Sequence, residues 1–246
     1  MRRIKLEIAY DGTRYCGWQV QPEEITVEGL INEKLSQLLG EKIEVIGASR
    51  TDSGVHAMGN VAVFDTNSSI PAEKFAKALN VRLPEDIRVQ TSCEVPIDFH
   101  PRRTECVKTY EYRIQNRKIE MPMDRLYSYF VYADLDIEAM QRAAEYLVGT
   151  HDYKSFCSVK TQVLDTVRTI YSIKVSKKED IIYIRIKGNG FLYNMVRIIV
   201  GTLINVGRGF HSPEKVLEIL KACDRSLAGP TAPAKGLTLV KIEYNI

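Results

Sequence analysis

Between Ala48 and Ala57 the chain reads ASRTDSGVHA, which brings together one cation, one anion, one glycine and one histidine: Arg50, Asp52, Gly54 and His56. An ionised carboxylate held away from bulk water is a usable nucleophile or base. An arginine two residues away can pair with it and keep it ionised. An Asx-type turn carrying a surface ion pair would use the same residues, so the stretch alone leaves both uses open. The surroundings favour chemistry. Apolar alternating runs, Ile43/Val45 before and Val61/Val63 after, predict two strands, and a hairpin needs only about two connecting residues. A long, chemically loaded connection on a sheet is where catalytic groups concentrate.

Other candidates lie further along. Tyr110 and Tyr112 sit at period 2 on a predicted strand, flanked by Lys108 and Arg113. An aromatic beside cations on a sheet can stack on a nucleobase, whereas a packing role is expected for one of the two. Arg197 interrupts an apolar helical pattern between Met195 and Ile198 and needs an acidic partner, for which Asp52 is the best candidate. The four histidines, His56, His100, His151 and His211, share no metal spacing, and the five cysteines form no CxxC pair. No nucleophile-elbow serine, P-loop or dinucleotide fingerprint is present. The chemistry therefore falls to a carboxylate supported by arginine and tyrosine, without metal or cofactor.

The elements that must position these groups follow a repeated order. Ile4, Leu6, Ile8 and Tyr10 alternate as a strand, which runs into the loop YDGTRYCGWQVQP. Thr26 and Gly40 bracket a helix carrying Val27, Leu30, Ile31, Leu35 and Leu38. Two strands surround the RTD loop, a helix starts at Pro71, and a strand runs over residues 87–95. After DFHPRRTEC the order begins again: a strand over 107–115, a helix from the Asp136 cap to Gly149, two strands joined at KKED, and a helix through Met195, Ile198 and Thr202. Ser212 and Pro213 start a short extra helix, and LTLVKIEY closes as a strand. Two βαββαβ units predict an α+β fold of two ferredoxin-like halves, residues 1–105 and 106–246, forming one mainly antiparallel sheet with a central catalytic cleft.

The 246 residues carry a net charge of +3, but unevenly. Residues 1–105 hold 13 basic against 16 acidic side chains, and residues 106–246 hold 21 against 15. A basic second half suits a polyanion. Arg102, Arg103, Arg117, Lys118, Lys154 and Lys160 are candidate phosphate contacts by charge alone. The N-terminal MRRIKLEIAY lacks a signal-peptide core and no run is long enough to span a membrane, so the expectation is a soluble, cytoplasmic protein.

Six segments in order, YDGTRYCGWQ, SRTDSGVHA, KTYEYRI, GTHDYKSF, GFLYNMVRIIVG and APAKGLTL, identify the chain as resembling the tRNA pseudouridine synthase A family along nearly its whole length. The resemblance implies isomerisation of uridine to pseudouridine at positions 38, 39 and 40 of the tRNA anticodon stem-loop, with no cofactor, by a homodimer that cradles tRNA in basic clefts. It implies that Asp52 is the catalytic aspartate, Arg50 the motif arginine, Tyr110 the active-site tyrosine that stacks on the flipped uracil, and Arg197 a supporting cation. It also implies that the loop from Tyr10 to Gln19 engages RNA. Asp52 would either attack C1′ or remove a proton from C2′. The alternatives to weigh are a non-catalytic RNA-binding protein of RRM-like architecture and a glycoside hydrolase, which would want two paired acids.

Overall fold

A computed structural model describes residues 1–159 and 164–244, so Lys160 lies outside the described residues. The chain forms two compact units: Met1–Cys106 with Thr238–Ile246, and Val107–Leu237.

In the first unit, β1 (Arg2–Tyr10) lies between β3 (His56–Thr66) and β4 (Ile87–Val95), antiparallel to both. The alternation of Ile4, Leu6, Ile8 and Tyr10 is that of a strand with one buried face. Against it pack α1 (Val27–Leu39), through Val27, Ile31 and Leu35, and α2 (Phe75–Asn80), whose Phe75 meets Phe64 edge to face at 5.3 Å. The predicted caps of α1 are in place. Thr26 accepts the Gly29 N–H, and Gly40 ends the helix in the left-handed region at φ 70°.

The strand expected through Ile43 and Val45 shrinks to β2 (Ile46–Gly47), beside Val63 and Ala62. The reason lies in backbone bonding. Ser36 and Asn32 of α1 accept the N–H groups of Ile43 and Val45 at 2.9 and 2.8 Å, in place of a strand ladder. With β2 at the outer edge of β3, the order β4–β1–β3–β2 is that of a split βαβ unit. The pattern places the closing strand (Leu237–Tyr244) in the second half, yet from Thr238 it groups with the first unit. Thr238 and Leu239 run parallel to His56 and Ala57, and Tyr244 meets Phe99 edge to face and donates its hydroxyl to the Pro101 carbonyl.

The second unit has its own antiparallel sheet, β5 (Cys106–Asn116), β9 (Ile181–Gly188), β8 (Val167–Lys178) and β7 (Gly149–Asp152), in that spatial order. A short β6 (Tyr129–Val131) adds to β5 in parallel. Tyr112, Ile114, Ile182, Ile184 and Ile186 fill the core together with α3 (Ile137–Glu145) and α4 (Met195–Gly207). The Asp136 cap is as expected, accepting the Ala139 N–H. However, α3 stops at Glu145 and not at Gly149, which opens β7 at φ +118°. The extra helix is α5 (Lys215–Ala222). Segment 229–233 crosses α4 so closely that a Cβ on Gly201 would lie 1.8 Å from the Pro230 carbonyl oxygen, so only glycine fits there. Among the described residues no helix is long and apolar enough to cross a membrane.

Candidate active site

The RTD loop is shaped locally by a turn. The Asp52 carbonyl accepts the Val55 N–H at 3.1 Å, with Gly54 at φ +76°, the left-handed third position of such a turn. Burial alternates along the loop. Ser49 and Thr51 are buried, Arg50 is exposed and Asp52 is half-buried. A charged pair bracketing a buried threonine is thus displayed while its backbone stays inside.

That backbone rests on the Tyr10–Trp18 loop. The Thr51 carbonyl accepts the Trp18 N–H at 3.0 Å, and the Tyr15 carbonyl accepts from the Gly54 N–H and the Ser53 hydroxyl at 3.3 and 3.2 Å. Gly17, at φ +84°, leaves room for this contact, since a Cβ there would lie 2.6 Å from the Thr51 carbonyl oxygen. The bed is itself pinned. Tyr15 and Arg14 both donate to Asp86, and the Asp86 carbonyl accepts the Asp11 N–H. Burial and the Asp86 carboxylate push the Tyr15 phenol up, well above the usual tyrosine range. His56 is buried, and its Nδ1 accepts the Gly12 N–H at 3.1 Å, which makes it a structural part of the same bed. For the role of Gly12, Tyr15, Gly17 and Trp18 as a bed under the RTD loop, the sequence signal is the crowding of glycine and aromatics in YDGTRYCGW.

The expected Arg50–Asp52 ion pair does not form. Among the described residues Arg50 has neither an ion pair nor a hydrogen bond, because the alternation that buries Thr51 turns Arg50 outward.

In the second unit the two tyrosines differ in their contacts. Tyr112 is fully buried and donates to the Pro233 carbonyl at 2.7 Å, and desolvation pushes its phenol up. It is a packing residue. Tyr110 retains a sliver of exposure and packs edge to face on Phe191, with centroids 5.3 Å apart. Arg197 has hydrogen-bond partners in its own unit. Its Nε donates to the Ala232 carbonyl at 2.7 Å and its Nη1 to Asn194 Oδ1 at 2.9 Å, while the Arg197 carbonyl accepts the Ala232 N–H at 3.1 Å. Asn194 supports this from a left-handed position at φ 61° just before α4.

A charge cluster that sequence reasoning missed lies on β5 and β9. Buried Glu111 accepts from Arg185 at 2.6 Å and from Arg113 at 3.1 Å, and Arg113 lies over the Tyr183 ring at 5.7 Å. The Glu111/Arg185 and Arg113/Tyr183 cross-strand pairs place these groups, so the register was the signal. Of the charge-based phosphate candidates, Arg117 and Lys118 are engaged with Asp180 and Asp134, whereas Arg102, Arg103 and Lys154 are exposed.

A family model described as tRNA pseudouridine synthase matches residues 7–102 and 143–245. The chain belongs to the tRNA pseudouridine synthase family. As a member it is an isomerase that converts uridine in tRNA to pseudouridine. It is similar over 244 residues to the tRNA pseudouridine synthase A of Brevibacillus brevis, at 50% identity and covering 99% of this chain and all of that one. The enzymes of the same name from Caldicellulosiruptor bescii and Clostridium acetobutylicum are each 46% identical with the same coverage. Arg50, Asp52 and Arg197 fall within the residues the family model matches, and Tyr110 falls between its two segments.

Proposed function

We propose that this tRNA pseudouridine synthase acts at positions 38, 39 and 40 of the anticodon stem-loop, as a homodimer in the cytoplasm, with Asp52 as its catalytic carboxylate. The observation that carries the site assignment is the mounting of the RTD loop: a half-buried aspartate on a backbone fixed by the Tyr10–Trp18 loop, two residues from an exposed arginine that makes no ion pair among the described residues.

The mechanism follows from what each group can do. A uridine paired in a stem must leave the stack before a side chain can reach its glycosidic carbon. Tyr110 would stack on the extruded uracil, and Arg50, which makes no ion pair among the described residues, would meet RNA phosphate. Asp52 then acts on the ribose, by attack at C1′ or by proton removal from C2′. The N1–C1′ bond breaks, and the departing uracil takes its electron pair, a charge that Arg197 is suited to stabilise. After the ring turns, C5 bonds to C1′ as the Asp52–C1′ ester breaks or as Asp52 returns the proton to C2′, and then C5 gives up its proton while N1 gains one. Mass is unchanged, and no redox partner is needed.

The test is an unmodified tRNA with uridine at position 39, incubated with purified protein and mapped by carbodiimide labelling and primer extension. Stops confined to the anticodon arm, and lost with Asp52→Ala, are the expected result. Tight binding without modification would instead leave an RNA-binding protein, and release of free uracil would leave a hydrolase. Sedimentation of the same preparation reads the dimer.

A further inference from the structure

The RTD loop is gripped a second time, from the sheet side, by polar groups buried in an apolar core. Asn60, on β3, is wholly buried, and Tyr10 and Thr51 are nearly so. The Asn60 side chain uses its full hydrogen-bonding capacity. Its Oδ1 accepts the N–H groups of Ser49 and Val61 at 3.3 and 2.9 Å, and its Nδ2 donates to the Ser49 carbonyl at 3.0 Å and to the Tyr10 hydroxyl at 3.3 Å. The Tyr10 hydroxyl in turn shares a 2.7 Å hydrogen bond with Thr51 Oγ1. One amide thus holds both backbone groups of Ser49, and one phenol, bonded to that amide, holds the side chain of Thr51. These are the two residues on either side of Arg50, and Thr51 directly precedes Asp52.

Burying an amide, a phenol and a threonine hydroxyl is costly unless each finds its partners, and an apolar trio would fill the same core without that risk. The network does what an apolar trio cannot. It sets the backbone direction at Ser49 and the side-chain direction at Thr51, and so decides that Arg50 points outward and where Asp52 stands. We propose that Tyr10, Thr51 and Asn60 are positioning residues for the isomerisation, acting through the placement of Arg50 and Asp52. This rests on the assignment of Asp52 as the catalytic carboxylate.

The experiment compares Tyr10→Phe, Thr51→Val, their double variant, Thr51→Ser, Asn60→Ala and Asp52→Ala on one unmodified tRNA, measuring kcat, KM and the thermal midpoint of each. Misplacing a reacting group by about 1 Å can cost on the order of a hundredfold in rate. Tyr10→Phe and Thr51→Val are therefore expected to lower kcat by about 10- to 100-fold, with KM unchanged and the proteins folded at the assay temperature. The double variant should be no worse than the poorer single, since both remove one shared bond. Thr51→Ser, which keeps the hydroxyl, should restore kcat, and Asn60→Ala should lose more than either hydroxyl variant. Wild-type kcat in Tyr10→Phe and Thr51→Val, multiplicative losses in the double, or losses that only follow unfolding would overturn the positioning role. Full activity in Asp52→Ala would overturn the assignment of Asp52 itself, whatever the other variants do.

Discussion

The arginines on β5 and β9 and the arginine of the RTD loop are treated in opposite ways. Arg113 and Arg185 converge on the buried carboxylate of Glu111, and Arg113 also lies over Tyr183. Arg50 stands exposed on a loop whose backbone is hydrogen-bonded to Trp18, Tyr15 and Asn60, yet no acid meets it among the described residues. A cation whose charge is already answered within the protein holds strands together. A cation mounted rigidly and left uncompensated keeps its charge for a ligand, and for a tRNA-modifying enzyme the natural ligand is phosphate. The lack of an ion pair among the described residues is what separates Arg50 from Arg113 and Arg185.

The sharpest cut through this contrast is Asp52→Ala. It is expected to reduce pseudouridine formation to background while tRNA binding stays within about tenfold, because phosphate contacts dominate affinity. Filter binding and primer extension on one preparation separate the two effects. Next comes Arg50→Ala, expected to lower kcat/KM by about a hundredfold, with Arg50→Lys recovering part of it because a point charge lacks the guanidinium fork. Unchanged turnover in Arg50→Ala would collapse the contrast with Arg113 and Arg185.

Gly17→Ala probes the bed beneath the loop. A Cβ 2.6 Å from the Thr51 carbonyl, at φ +84°, forces both backbones to shift. The expected outcome is a loss of about 2 kcal/mol in urea unfolding, together with a drop in kcat of about tenfold. The smallest effect on catalysis should come from Glu111→Gln. It leaves turnover within about twofold while costing about 1–2 kcal/mol of stability, a modest figure because Arg113 and Arg185 are partly in water. A large loss of kcat there would put Glu111 into the chemistry and remove the distinction between the two arginine environments.

Much of the frame was legible because its signals are local. Thr26, Gly40 and Asp136 cap helices where their side-chain chemistry and backbone freedom say they should, and Glu179 turns the β8–β9 hairpin at φ 54° inside KKED. That one of the two tyrosines packs in the core was also readable, though not that it is Tyr112. Less legible was the fate of backbone groups with distant partners. Ile43 and Val45 read as a strand because their alternation is real, but Ser36 and Asn32 of α1 take their N–H groups. Gly149 reads as a helix stop, yet Leu147 already bonds back to Ala144 and the glycine opens a strand.

By itself the sequence determined the βαββαβ order of the first unit, the helix caps, the hairpin and the six ordered segments that mark the family, since each depends on residue type and spacing within about a dozen positions. Tertiary structure alone decided that Arg50 and Asp52 do not pair, that Asn60 holds Ser49 while Tyr10 holds Thr51, and that the closing strand groups with the first unit from Thr238. Those outcomes turn on which buried donor meets which acceptor across tens of residues. That pairing is set by the packing of the whole unit and not by the neighbours of any one residue.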